Sequence, residues 1–288
     1  MRKILLSLVV LFLLGGCATM NNSKEFVMKH DSVEFNGRKM DYCCFGKGER
    51  TIVLLPGMSL GKVTGAVELI SSSYSLLCDD FTIYLFDRAD DMYSGYSTKD
   101  MADETVSAMQ ALGLGKSCFV GFSQGGMIAQ EIAINHPELV EKLVIGSSAA
   151  RTNPLALSVV SSLIDMAKSG RVAELTDTMA EKLYTDEYLE TYGVKAYYRE
   201  NPPTQDDIDR FLIMAEDVIS FDVYDKLESI KSPTLVIGVE GDEMITGEAS
   251  QEMADKLGCD IVMYDGYRHA VYDEAPDSKP TIYDFFMD

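Results

Sequence analysis

Ser117-Cys118-Phe119-Val120-Gly121-Phe122-Ser123-Gln124-Gly125-Gly126 is the stretch on which the fold turns. Residues 117–120 read as a short apolar strand, and residues 124–135 as the helix that follows. A serine flanked by Gly121 and Gly125 stands between them. The pattern G-x-S-x-G suits a sharp, strained turn from strand to helix, where side chains larger than hydrogen would strike the neighbouring backbone. A strand feeding directly into a helix is the repeating unit of a parallel α/β sheet.

The same rhythm continues on both sides. Residues 51–55, 82–86, 142–145, 234–237 and 260–264 are apolar runs of four or five, each closed by turn formers such as Pro56-Gly57, Asp87-Arg88 or Asp265-Gly266. Runs of this kind suit strands buried on both faces. Residues 26–35 and 39–45 add two strands around Asn36-Gly37, and helices are expected at 99–112 and 247–257. The expectation is an α/β fold with a mainly parallel eight-stranded sheet and helices on both faces. One stretch interrupts the alternation. Residues 151–225 contain no strand-like run and read as helices at 155–168, 172–184, 188–198 and 206–219, a helical insertion rich in acid. Its Met166, Met179, Tyr184, Tyr188, Tyr197, Tyr198 and Met214 read as helix-packing core.

Composition excludes whole classes of function. The chain of 288 residues is 47% hydrophobic, which is enough for a sizeable core. Its 25 Lys+Arg against 46 Asp+Glu leave a formal charge of −21, unsuited to nucleic acid or to a basic membrane-docking face. Six cysteines without a C-x-x-C pair, together with three histidines, give no metal site, and no cofactor is expected.

A serine hydroxyl becomes a useful nucleophile when a base takes its proton. His30 lies near the N-terminal tether, and His136 ends the helix that begins at the serine. His269 follows the last strand and a glycine-containing turn, where an imidazole can overhang the sheet edge near Ser123. The orienting acid should leave the preceding strand. Asp242 in Gly238-Val239-Glu240-Gly241-Asp242-Glu243 is the best candidate, with Glu240 and Glu243 as fallbacks. The chain order is then Ser123, Asp242, His269.

With these residues in place, the chain resembles the α/β-hydrolase superfamily over about residues 25–288. The resemblance rests on Leu54-Leu55-Pro56-Gly57, the turn at Ser123, Asp242, and the run from His269-Ala270-Val271 to Pro276. It implies a Ser123–Asp242–His269 triad, with the backbone N–H groups of Met58 and Gln124 as an oxyanion hole. Pro56-Gly57 replaces the His-Gly of similar members. Residues 87–97 look like the family's D-x-R-G-x-G-x-S loop, stretched. The insertion at 151–225 takes the place of the family's cap, leaving 25–150 and 226–288 as the core. The implied activity is hydrolysis of a carboxylic ester or related acyl bond through an acyl-enzyme. Aminopeptidases, carbon–carbon bond hydrolases and cofactor-free haloperoxidases share the triad, and a lipid-anchored ligand-binding module is the alternative from another class. The net charge favours a small neutral or cationic substrate, with Arg151 as the candidate for a local exception.

The N-terminus reads as an address. Met1-Arg2-Lys3 precedes an apolar run over 4–14 broken by Ser7. Such a run gives about 16 Å of helix, short of a hydrocarbon core of about 30 Å. Leu14-Gly15-Gly16-Cys17 resembles the bacterial lipoprotein box. Residues 1–16 are then a signal peptide, Cys17 is lipidated, and residues 17–24 form a short tether. An exported protein, lipid-anchored to the outer face of a bacterial membrane, is the expectation.

Overall fold

Each apolar run bounded by turn formers becomes a strand, its backbone satisfied by extended neighbours while both faces are covered. The computed structural model describes residues 27–288. The expected signal peptide, the tether and Cys17 lie outside the described residues. The strands are β1 (Val27–Phe35), β2 (Arg38–Gly46), β3 (Arg50–Leu55), β4 (Phe81–Ala89), β5 (Ser117–Phe122), β6 (Val140–Gly146), β7 (Thr234–Val239) and β8 (Asp260–Tyr264). They form a single eight-stranded sheet in the order β1-β2-β4-β3-β5-β6-β7-β8. The β1–β2 and β2–β4 pairs are antiparallel, and every other pair is parallel. The fold is the mainly parallel α/β arrangement that the apolar runs predict.

Alternate residues of each strand feed two cores. Val53, Leu55, Phe119, Ile145 and Val236 point into one. Ile52, Leu54, Cys118, Val120, Val144 and Ile237 point into the other. The helices α1 (Val67–Ser73), α2 (Thr98–Ala111), α3 (Gln124–Asn135), α4 (Pro154–Lys168), α5 (Val172–Leu183), α6 (Asp186–Tyr192), α7 (Val194–Glu200), α8 (Gln205–Val218), α9 (Gly247–Leu257), α10 (Val271–Glu274) and α11 (Ser278–Met287) complete the chain. Residues of α2, α3 and α9 fill the first core, and those of α1 and α11 the second. None of the helices among the described residues is long and apolar enough to cross a membrane.

The helices α4 to α8 lie between β6 and β7. The two ends of this segment are pinned to each other by an antiparallel bridge between Arg151 and Asp222. Thr152 N–H donates to the Phe221 carbonyl at 2.9 Å, and Val223 N–H to that of Ala150 at 2.8 Å. Leu163, Leu175 and Phe211 are fully buried and continuous with the first core, which α3 also fills. The helix expected over 188–198 is two helices. Gly193, in the left-handed region at φ 62°, ends α6 and redirects the chain into α7.

Connectivity locates the crevice. β4 pairs on one side of β3 and β5 on the other, so the chain winds in opposite directions from this point. A sheet wound in this way opens a cleft at the carboxyl ends of the two strands. Leu55 is in register with Gly121, so the chain leaves β3 at Pro56 and β5 at Ser123 side by side.

Candidate active site

Ser123 has φ 54° and ψ −124°, a conformation that L-residues rarely adopt. The surroundings enforce it. A Cβ on Gly121 would lie 2.3 Å from the Gly125 carbonyl oxygen, and one on Gly125 would lie 2.0 Å from that of Leu55. With hydrogen at both places, α3 seats directly on the ends of β3 and β5. Ser123 N–H donates to the Gly146 carbonyl at 2.9 Å, and Ser148 Oγ donates to the Ser123 carbonyl at 2.8 Å. The Gln124 N–H is the first of the donors that a helix leaves without an internal partner. It finds no acceptor among the described residues, and neither does the N–H of Met58. Gly57, between Pro56 and Met58, abuts the serine: a Cβ there would lie 3.1 Å from Ser123 Cβ. The Gln124 side chain roots the turn in the insertion, its Nε2 donating to the Met214 carbonyl of α8 at 3.0 Å.

Asp242 and His269 meet across the ends of β7 and β8. Oδ2 of Asp242 lies 2.7 Å from Nδ1 of His269, and both side chains are almost wholly buried. The other carboxylate oxygen accepts N–H bonds from Met244 at 2.7 Å and Ile245 at 3.1 Å. Burial pulls the Asp242 carboxyl upward, but the adjacent imidazole and the N–H donors outweigh it and hold the group below the ordinary carboxylate value. An ionised acid facing Nδ1 selects the tautomer with the proton on that nitrogen, leaving Nε2 as an acceptor. Nε2 is buried and has no partner among the described residues. Ser123 and His269 are therefore not hydrogen-bonded to each other. They belong to one neighbourhood all the same. The ring of Phe122 stacks on that of Tyr272 at 4.0 Å between centroids, joining the end of β5 to the helix after His269. Ala270 N–H donates to the Leu183 carbonyl at 2.9 Å, which fastens the histidine loop to α5.

The other candidates take structural places. His136 caps the end of α3, with Nε2 3.2 Å from Asp103. His30 is exposed on β1. Glu243 turns outward to Lys182 and Arg268, and Glu240 is exposed at the strand end. Ser97 is the N-cap of α2 in a reciprocal capping box with Asp100. Arg151 does not enter a pocket: it is exposed, pairs with Glu252 and lies over the Tyr224 ring. Met166, Met179 and Met214 are buried core, whereas Tyr197 is 61% exposed. Cys43, Cys44, Cys78, Cys118 and Cys259 are all free thiols.

Two residues went unsingled in the sequence. Beside the serine turn lies a small cleft whose lining includes Pro56, Gly57, Ser59, Asp87, Arg88 and Arg210. Arg88 enters the sequence reading only with Asp87, as a turn closing the run 82–86 and the start of a loop; in the structure β4 runs on through both to Ala89. Arg210 sits four residues before Met214 and shares its helix face, a flanking position that suits a half-buried cation.

Comparison with known proteins bears on the fold that carries this site. The family model for the alpha/beta hydrolase fold matches residues 10–276. "Putative carbamate hydrolase RutD" of Stutzerimonas stutzeri (strain A1501) is 23% identical over 244 residues, covering 78% of this chain and 88% of that protein. The structure of MGS-M2, an alpha/beta hydrolase enzyme from a Medee basin deep-sea metagenome library, superposes with a TM-score of 0.80 at 19% identity, covering 90% of this chain and 98% of that one. The enol-lactonase from Burkholderia xenovorans LB400 superposes with a TM-score of 0.79 at 21% identity, covering 90% and 100%. At these identities the structural likeness speaks for the fold.

Proposed function

The chain belongs to the α/β-hydrolase fold family, and from that premise we propose that it is a serine hydrolase cleaving a carboxylic ester or a related acyl bond. Ser123 Oγ attacks the carbonyl carbon while His269 Nε2 takes its proton. Asp242 holds the imidazole in the required tautomer and stabilises the imidazolium that forms. The N–H groups of Met58 and Gln124 receive the negative charge on the carbonyl oxygen, worth about 3 kcal/mol per donor. The imidazolium then protonates the departing alkoxide, and a water molecule activated by the same nitrogen releases the acid from the serine. The observation that carries this reading is the 2.7 Å bond from Asp242 to His269, with an unpartnered Nε2 at the sheet edge where the strained Ser123 turns. No metal or cofactor is required by these steps.

Lactones and carbamates, named for the enol-lactonase and the carbamate hydrolase above, share the reacting group: a carbonyl bonded to a heteroatom leaving group. The pinned segment 151–225 serves as the cap that encloses a small-molecule substrate; its bridge at Arg151 and Asp222 supports that role. The lipoprotein box at Cys17 supports anchoring by lipid to the outer face of a bacterial membrane. At long range the charge of −21 favours a neutral or cationic substrate, while the cleft beside Ser123 carries the opposite sign.

The test is labelling by a fluorophosphonate probe, which requires an activated serine, alongside turnover of p-nitrophenyl esters of rising chain length. Labelling and turnover in the wild type, both lost in Ser123→Ala, are the expected result. A wild type that neither labels nor turns over any ester would leave a binding module on a hydrolase fold.

A further inference from the structure

Eight arginines fall among the described residues, and six are paired with carboxylates: Arg38, Arg50, Arg151, Arg171, Arg199 and Arg268. The two without an acid partner, Arg88 and Arg210, line the same cleft beside Ser123. Arg88 is only 5% exposed. Its Nη2 donates to the Pro56 carbonyl at 2.8 Å, and its Nε has no acceptor among the described residues. Arg210 donates from Nη1 to the Ala89 carbonyl at 3.0 Å, with longer contacts to the Asp90 and Arg88 carbonyls. Carbonyls orient a guanidinium without neutralising it. The nearest acid in the cleft is Asp87, whose carboxylate is taken up by the N–H groups of Val63 and Thr64 and by the Thr64 hydroxyl. Burial, opposed in part by Tyr96 and Asp87, pulls the Arg88 guanidinium down to about 10, so it is still protonated at neutral pH.

A buried guanidinium whose neighbouring carboxylate, Asp87, forms no direct ion pair with it is expensive. We infer that Arg88 and Arg210 form a carboxylate-binding subsite, and that the substrate is an ester or related acyl compound carrying a free carboxylate. Guanidinium forks match a carboxylate by paired hydrogen bonds. The subsite is also in the right place. Pro56 and Gly57 line the cleft, and Gly57 abuts Ser123. A carboxylate held there places the rest of a small substrate against the serine and the Met58 N–H. The net negative charge slows the approach of such an anion, but charges beyond about 8 Å are screened at physiological salt, and the contact pair is not. This inference rests on the acyl-enzyme reading above.

The experiment uses the full chain in detergent. The specificity constant kcat/KM is measured for p-nitrophenyl hydrogen glutarate against its methyl ester, and for carboxymethyl butyrate against its methyl ester, at low and high salt. The first pair carries the carboxylate on the acyl side and the second on the alcohol side. Expected is a preference for the charged member of one pair of about ten-fold or more, retained at high salt. In Arg210→Gln that preference falls by about ten-fold, and Arg210→Lys keeps part of it, because a point charge remains without the fork. Thermal stabilisation by glutarate, present in the wild type and lost in Arg210→Gln, reads the subsite independently of turnover. Arg210 is the residue to change because Arg88 is buried and its loss risks the fold. Fluorophosphonate labelling of Ser123 without any charged-ester preference or glutarate stabilisation would overturn the subsite alone. Glutarate stabilisation that depends on Arg210, in a protein that does not label, would retain the subsite and overturn the acyl-enzyme.

Discussion

Gly125→Ala tests how tightly the serine turn is built. The new Cβ would stand 2.0 Å from the Leu55 carbonyl oxygen, and 2.6 Å from both the Leu55 carbonyl carbon and the Pro56 oxygen. All three are backbone atoms, and ordinary contact begins near 3.4 Å. Helix α3 and the end of β3 must therefore separate by about 1.4 Å, the gap between 2.0 and 3.4 Å. The helix cannot retreat freely, because Gly126 already packs against Ser148 on its other side, where a Cβ would meet Ser148 Cβ at 2.6 Å. The movement falls on residues 55–58. Overpacking a rigid site costs about 1–3 kcal/mol, and a clash between backbones belongs at the upper end. About 3 kcal/mol corresponds to a drop of about 6–12 °C in Tm for a domain of this size. If the Met58 N–H is the proposed oxyanion donor, displacing it slows reaction by about 10²–10³-fold. Thermal unfolding and the rate of fluorophosphonate labelling measure the two effects. Gly115→Ala is the control. It has open space around it and no left-handed φ, so it should stay within about 0.5 kcal/mol of wild type. A Gly125→Ala protein with wild-type Tm and labelling rate would refute the argument that backbone contact dictates glycine there.

Four more outcomes test the proposed function and anchoring. Asp242→Asn should lower kcat by about 10⁴-fold, because an amide no longer selects the tautomer with the proton on Nδ1. The stabilising contribution of the Asp242 carboxylate, whose pKa is lower folded than unfolded, is fully present above the ordinary value of 3.8 and is lost as pH falls through the folded value. The stability gap between wild type and Asp242→Asn, from urea unfolding, should thus be constant near neutrality and close in acid; a gap unchanged below that range would contradict it. Turnover should survive dialysis against EDTA, since the proposed nucleophile, base and orienter are all side chains, and a loss restored by one specific divalent ion would overturn this. Cys17→Ser should move the protein out of the membrane fraction or block its processing, with unchanged fractionation and no lipid by mass spectrometry as the contrary result.

Much of the fold was readable in the sequence because strands buried on both faces need uninterrupted apolar residues. Residues 51–55, 117–120 and 234–237 meet that requirement, and all lie in interior strands of the sheet. The serine turn was readable for the same local reason: Gly121 and Gly125 mark where backbones touch. Which acid reaches His269 was not local. Asp242 and Glu243 are neighbours of like charge, and the choice falls to packing. The short Asp242 carboxylate is caught by the N–H groups of Met244 and Ile245 beneath His269, while Glu243 reaches outward to Lys182 and Arg268. The break at Gly193 was missed because a helical pattern on both sides hides a single left-handed residue. The two unpaired arginines lay furthest from reach. Arg88 and Arg210 are far apart in the chain, and nothing in either neighbourhood says that they share a cleft. Sequence periodicity records which side chains are buried, since burial repeats with the helix or strand. It does not record which charges lie without a partner, since that depends on where a distant helix comes to rest.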